Sequence, residues 1–98
     1  SHITGGGLYE NVPRMMKEGL TAQIETAAFP VPPIFHLIAK TGNIPMRDMY
    51  NTFNMGVGMC IAVAKEQVDI ALSALKEADT NAFVLGEVVP GEEGVILC

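Results

Sequence analysis

The chain has 98 residues, 49% of them hydrophobic and 17% charged, with a formal net charge of -5. That is enough for one domain with one core, and the composition excludes wholesale disorder. Scattered acidic charge leaves no electrostatic footprint for nucleic acid or an anionic membrane, and Cys60 and Cys98 form no CxxC pair, which argues against a disulfide framework or a zinc site.

Ser1 to Thr4 reads as the end of a strand. Gly5-Gly6-Gly7 then reads as a loop, because three glycines cost too much backbone entropy inside an element. Leu8 to Met16 reads as a short helix, broken or restarted at Pro13. Leu20 to Glu25 alternates apolar and polar residues as a strand does. Phe29-Pro30-Val31-Pro32-Pro33 is a stiff linker whose prolines suit the start of a helix carrying Ile34, Leu37 and Ile38. Gly42-Asn43 closes that helix. Pro45 opens another, with Met46, Met49, Tyr50 and Phe53 expected on one buried face. Val57 to Val63 is apolar with little alternation, the pattern of a central strand covered on both sides. Lys65 to Ala78 is the clearest helix, with Val68, Ala71, Leu72 and Leu75 as its inner stripe. Ala82 to Val89 reads as a strand, and Val95 to Leu97 is expected to pair back on it across the Pro90–Gly94 turn. The fold class is therefore α/β (α+β): a layered sandwich with a mixed sheet and helices, since that turn is too short for a parallel crossover.

Two segments can carry chemistry. In Thr4-Gly5-Gly6-Gly7, followed by Leu8-Tyr9-Glu10-Asn11-Val12-Pro13-Arg14, consecutive glycines let backbone amides approach an anion closely. Thr4 adds a hydroxyl, Asn11 an amide and Arg14 a bidentate charge for phosphate oxygens. By pattern alone a plain strand-to-helix turn is the favoured explanation, since this is neither a Walker A motif nor GxGxxG. In Asn51-Thr52-Phe53-Asn54-Met55-Gly56-Val57-Gly58-Met59, the two asparagines can bond a polar ligand and the glycines allow close backbone approach. Helix capping by Asn54 and easy packing at Gly56 and Gly58 explain that segment equally. His2 can pair with a phosphate or be incidental, and His36 reads as a surface residue. Glu10 reads as a helix acid complementing the dipole. Cys60 reads as an inert core thiol. No Ser-His-Asp set, HExxH or catalytic carboxylate pair can be assembled, so no catalytic residue and no metal ligand is assigned.

His2-Ile3-Thr4-Gly5-Gly6-Gly7, Glu10 to Arg14, and Tyr50 to Met59 together resemble aminoimidazole ribonucleotide synthetase, the phosphoribosylformylglycinamidine cyclo-ligase family. The resemblance covers nearly the whole chain. It implies ATP-dependent ring closure of formylglycinamidine ribonucleotide in purine biosynthesis, with magnesium accompanying ATP, in a cytoplasmic homodimer that binds neither nucleic acid nor membrane. It further implies that residues 1–98 are one partial domain, the last part of the C-terminal domain. The N-terminal ATP-binding and dimerisation domain lies outside the sequence, so the isolated piece is expected to be inactive. Ser1 to Gly7 shows no signal-peptide pattern, and the start without an initiator methionine, leading straight into glycines, suggests a piece of a longer protein. Carried over by position, Thr4, Gly5, Gly6 and Gly7 line a cleft and hold phosphate. His2, Asn11 and Arg14 add contacts, and Asn54, Gly56 and Gly58 support the loop from beneath.

Two alternatives stay open. A sibling of the same ATP-dependent superfamily (formylglycinamidine synthetase, selenophosphate synthetase, thiamine-phosphate kinase or hydrogenase-maturation type) shares the fold and some glycine loops. A non-catalytic phosphate-ligand-binding module predicts a complete sheet without an open edge, whereas a piece of a longer enzyme predicts an exposed apolar edge or face.

Overall fold

A computed structural model describes all 98 residues. It is an α+β fold: four helices and a mixed three-stranded sheet in the order β2-β1-β3. Strand β1 (Leu20–Ile24) is central, antiparallel to β2 (Gly86–Pro90) and parallel to β3 (Val95–Leu97). Thr21, Ala22 and Ile24 are all buried, so β1 is covered on both faces.

The sheet is mixed as expected, but for another reason. Val95 to Leu97 does not pair back on β2 as a hairpin. The Gly91–Gly94 connection passes the start of β1, tied by Gly91 N–H to the Gly19 carbonyl (3.0 Å) and Ala22 N–H to the Gly94 carbonyl (2.8 Å). That delivers β3 to the far side of β1. Val57 to Val63 is likewise not the central strand. It meets only residues 1–3, through Ile3 N–H to the Gly58 carbonyl (2.9 Å) and Cys60 N–H to the Ser1 carbonyl (2.8 Å). Without a second neighbour the ladder stops there, and Met59, Ile61 and Val63 stay exposed. Residues 82–85 precede β2 rather than extend it.

Helix α1 (Gly7–Asn11) continues into a 3-10 turn at Val12–Met15, where Pro13 supplies no N–H. Helix α2 (Pro33–Gly42) starts on its proline and ends with Asn43 in the left-handed region, φ 51°. Helix α3 (Met46–Thr52) buries Met49 and Tyr50, while Met46 is 43% exposed because the helix offers only one turn of its length to the core. Lys65–Gln67 is a 3-10 turn leading into α4 (Val68–Glu77). The stripe Val68, Ala71, Leu72 and Leu75 is the less exposed side of α4, yet none of the four is buried.

The core gathers Leu8 and Val12 from the first helical segment, Ala22 and Ile24 from β1, Met49 and Tyr50 from α3, and Ile3, Phe29, Met55, Val57, Cys60 and Val95. It lies beneath the glycine segment, so that segment rests on the best-packed part of the molecule.

Candidate functional site

The route into the glycine loop is fixed by Ile3, a core residue whose N–H bonds the Gly58 carbonyl. The chain then turns tightly, with Gly7 N–H donating to the Thr4 carbonyl (3.0 Å). Gly6 and Gly7 carry φ of 100° and 64°, a region that L side chains avoid. Gly7 also packs directly on α3. A Cβ there would collide with the Tyr50 carbonyl oxygen and lie 2.8 Å from that of Phe53.

Two asparagines grip the loop from behind. Asn11 is 1% exposed. Its Nδ2 donates to the carbonyls of Gly7 (2.8 Å), Thr4 (3.2 Å) and Gly5 (3.3 Å), sharing two hydrogens among three acceptors, and its Oδ1 accepts from the Thr4 hydroxyl (3.3 Å). Asn51, from α3, donates through Nδ2 to the Gly6 carbonyl (3.2 Å) and to Glu10 Oε2 (2.6 Å). Arg47 bonds Asn51 Oδ1 (2.8 Å) and lies 3.5 Å from the Tyr9 ring centroid. Every carbonyl from Thr4 to Gly7 is thus held by the body of the protein. The amides of Gly5 and Gly6 donate to no protein acceptor, so the loop keeps two donors uncommitted.

Clefts open on both sides of this loop. The larger, about 430 Å³, brings His2, Thr4, Asn11 and Arg14 together with Ser1 and Met15. His2 and Arg14 are exposed there, free to meet an anion. The second, about 330 Å³, is lined by Ile3, Thr4, Gly5, Phe35, Thr52, Phe53 and Asn54. Gly6 and Gly7 line neither; their role is to shape the turn.

The second motif acts differently from a simple platform. Asn54 does not cap α3, whose C-cap is Phe53; its Oδ1 accepts the Gly56 N–H (2.8 Å) in a turn of its own. Gly56 has φ 96° and packs against Pro32, while Gly58 offers its carbonyl to Ile3 and has open space where a Cβ would stand. Sequence reasoning placed Asn51 as a candidate ligand contact and Asn11 as a substrate contact; both side chains are spent on the loop. The one signal for this was the position of Asn11, one helical turn after Gly7.

Burial pushes the Cys60 thiol up from its ordinary value, and burial with the neighbouring Tyr9 does the same to Tyr50. Neither is poised as a nucleophile or base at neutral pH. No three side chains among His, Cys, Asp and Glu gather into a metal-binding group. No helix is long and apolar enough to cross a membrane.

Comparison with known proteins places this geometry in context. The family described as "AIR synthase related protein, C-terminal domain" matches residues 1–98. A protein of Lachnoclostridium phytofermentans named phosphoribosylformylglycinamidine cyclo-ligase is 52% identical over 98 residues, covering 100% of this chain and 29% of the relative. Proteins of the same name from Lachnospira eligens and Caldanaerobacter subterraneus subsp. tengcongensis are 51% identical over 98 residues and 50% over 97; each is covered to 29% of its length. The chain thus spans less than a third of the relatives it matches.

Proposed function

We propose that this chain, which belongs to the AIR synthase related protein C-terminal domain family, is the substrate-holding part of a phosphoribosylformylglycinamidine cyclo-ligase. The whole enzyme would use ATP to activate the formyl oxygen of formylglycinamidine ribonucleotide. An internal nitrogen then attacks that carbon, phosphate leaves, and the imidazole ring closes to aminoimidazole ribonucleotide, a step of purine biosynthesis.

The observation that carries this reading is one cleft holding His2, Thr4 and Arg14 beside a loop whose Gly5 and Gly6 amides have no protein acceptor, in a chain 52% identical to a protein named as a cyclo-ligase. Phosphate oxygens need several converging donors and a positive charge. Arg14 supplies the charge in a forked geometry and His2 adds a donor, with the unpaired Gly5 amide on the loop beside them. Asn11 acts behind them, holding the carbonyls away from the anion.

The same reading makes the enzyme a cytoplasmic homodimer that binds ATP and magnesium. The residues of this chain do not fit a magnesium site, having no clustered carboxylates. We assign ATP, the metal and the dimer contact to an N-terminal domain outside these 98 residues, and accordingly expect no turnover from the 98 residues alone.

The test is ring closure coupled to ADP release by the full-length protein. Arg14→Ala is expected to raise KM for the ribonucleotide about 10- to 100-fold, the loss of one charge-assisted contact, with a smaller change in kcat. No turnover by the full-length protein would sink the cyclo-ligase reading. Turnover with an unchanged KM in the variant would sink the phosphate assignment alone.

A further inference from the structure

The loop has two faces, and the phosphate reading uses only one. The second cleft, about 330 Å³, differs in chemistry from the first. Its walls are Phe35 from the first turn of α2 and Phe53 at the end of α3, both half-buried, with ring centroids 5.8 Å apart and planes at 54°. Two rings at that angle make a V that offers one face for stacking and one edge beside it. The rim is polar. Asn54 commits its Oδ1 to the Gly56 N–H, which turns its NH₂ into the free end. Thr52 is exposed, and its hydroxyl is not engaged within the helix.

Size decides what fits. Ligand pockets run from about 300 to 1,000 Å³, so this cleft, at the low end, has room for a flat heterocycle. Thr4 lines both clefts. A ligand with a phosphate at one end and a flat ring at the other can therefore straddle the loop at Thr4.

We infer that the cleft walled by Phe35 and Phe53 binds the planar nitrogen heterocycle of a nucleotide whose phosphate lies in the His2–Arg14 cleft. This rests on the phosphate reading for its other half. The ring stacks on an aromatic face, and its acceptor edge meets the Asn54 NH₂ and the Thr52 hydroxyl.

The test compares three probes on the full-length protein by calorimetry without ATP: aminoimidazole ribonucleotide, ribose 5-phosphate and inorganic phosphate. Stacking on one aromatic ring sets the expected size. Phe35→Leu and Thr52→Val each weaken the ribonucleotide at least about fivefold and leave ribose 5-phosphate within about twofold. Arg14→Ala weakens all three probes. Unchanged ribose 5-phosphate affinity reports an intact loop, and Thr52, being exposed, keeps the test open should Phe35→Leu fail to fold. Equal effects on ribonucleotide and ribose 5-phosphate, or no effect of either variant on the ribonucleotide, overturn the inference. Indifference of all three probes to Arg14→Ala overturns the phosphate reading instead, and with it the straddling geometry.

Discussion

Replacing Gly7 by alanine separates the two reasons for a glycine in this loop. At φ 64° an alanine sits in the left-handed region, at about 1–2 kcal/mol. Its Cβ would also collide with the Tyr50 carbonyl and approach that of Phe53 at 2.8 Å. Both are main-chain atoms of α3 and its C-cap, so no side chain can swing aside; α1 must lift off α3, which loosens the core that holds Leu8 and Met49, both 0% exposed. Overpacking of that kind adds about 1–3 kcal/mol. The expected loss is about 2–5 kcal/mol, a large share of a typical stability of about 5–15 kcal/mol. Gly5→Ala is the control. Gly5 has no positive φ and nothing within 4 Å of where a Cβ would stand, so its change should stay within about 0.5 kcal/mol. Urea unfolding of the protein carrying the chain measures both. Gly7→Ala should lower the midpoint by on the order of 1 M or more at unchanged slope, and Gly5→Ala should hardly move it. Equal midpoints for the two variants would refute the argument that Gly7 is a packing glycine.

Asn11→Asp keeps the size and the acceptor but removes the NH₂ group that holds three loop carbonyls. It should cost about 2–4 kcal/mol in urea unfolding and weaken inorganic phosphate, and a change below about 0.5 kcal/mol would show the grip to be dispensable. Tyr50→Phe should flatten the alkaline fall in stability. The folded-state pKa lies above the ordinary 10.0, so the native form keeps its proton where the unfolded form releases it. That contribution is complete below pH 10.0 and is lost as pH rises through the folded value; urea midpoints of the two proteins between about pH 8 and 11 should diverge only at the alkaline end. A thiol reagent should label Cys98 at once and Cys60 only on unfolding, because Cys98 is exposed while Cys60 is 6% exposed with its thiol pushed up by burial.

Local signals were the legible part of the sequence. The β1 strand, the proline-led start of α2, the Asn43 cap and the break at Pro13 depend on neighbours a few residues away, and they stand in the structure, although β1 buries Thr21 as well as its apolar side. Pairing partners were not legible. Val57 to Val63 carries the residues of a central strand, but a strand exists only where a neighbour supplies its hydrogen bonds, and here just Ser1 to Ile3 do so. The turn at Pro90 likewise suggested a hairpin because a short turn forces reversal. It does force reversal, yet β1 occupies the place between the two arms. Within the site, the meeting of His2, Thr4, Asn11 and Arg14 in one cleft follows from a loop and helix close in sequence. The grip of Asn51 on Gly6 spans 45 positions and has no local signature.

The three glycines of the loop look alike in sequence and differ in duty. Gly7 is required by contact with α3, Gly6 by its backbone angle and by the Glu10 side chain lying across it, and Gly5 by neither. Of the three, only Gly5 lines either of the two clefts at the loop. A glycine-rich stretch is therefore a poor measure of how much backbone meets a ligand. What makes this loop a donor surface lies behind it. An amide group such as that of Asn11 can hold carbonyls only through its NH₂, so Asn11, gripping the Thr4 and Gly5 carbonyls, orients the two peptides whose N–H groups, those of Gly5 and Gly6, meet no protein acceptor. Reversing one of those peptides would aim a carbonyl oxygen at the anion and cancel the attraction of Arg14. The polarity of the site is thus set by a residue that need never touch the ligand.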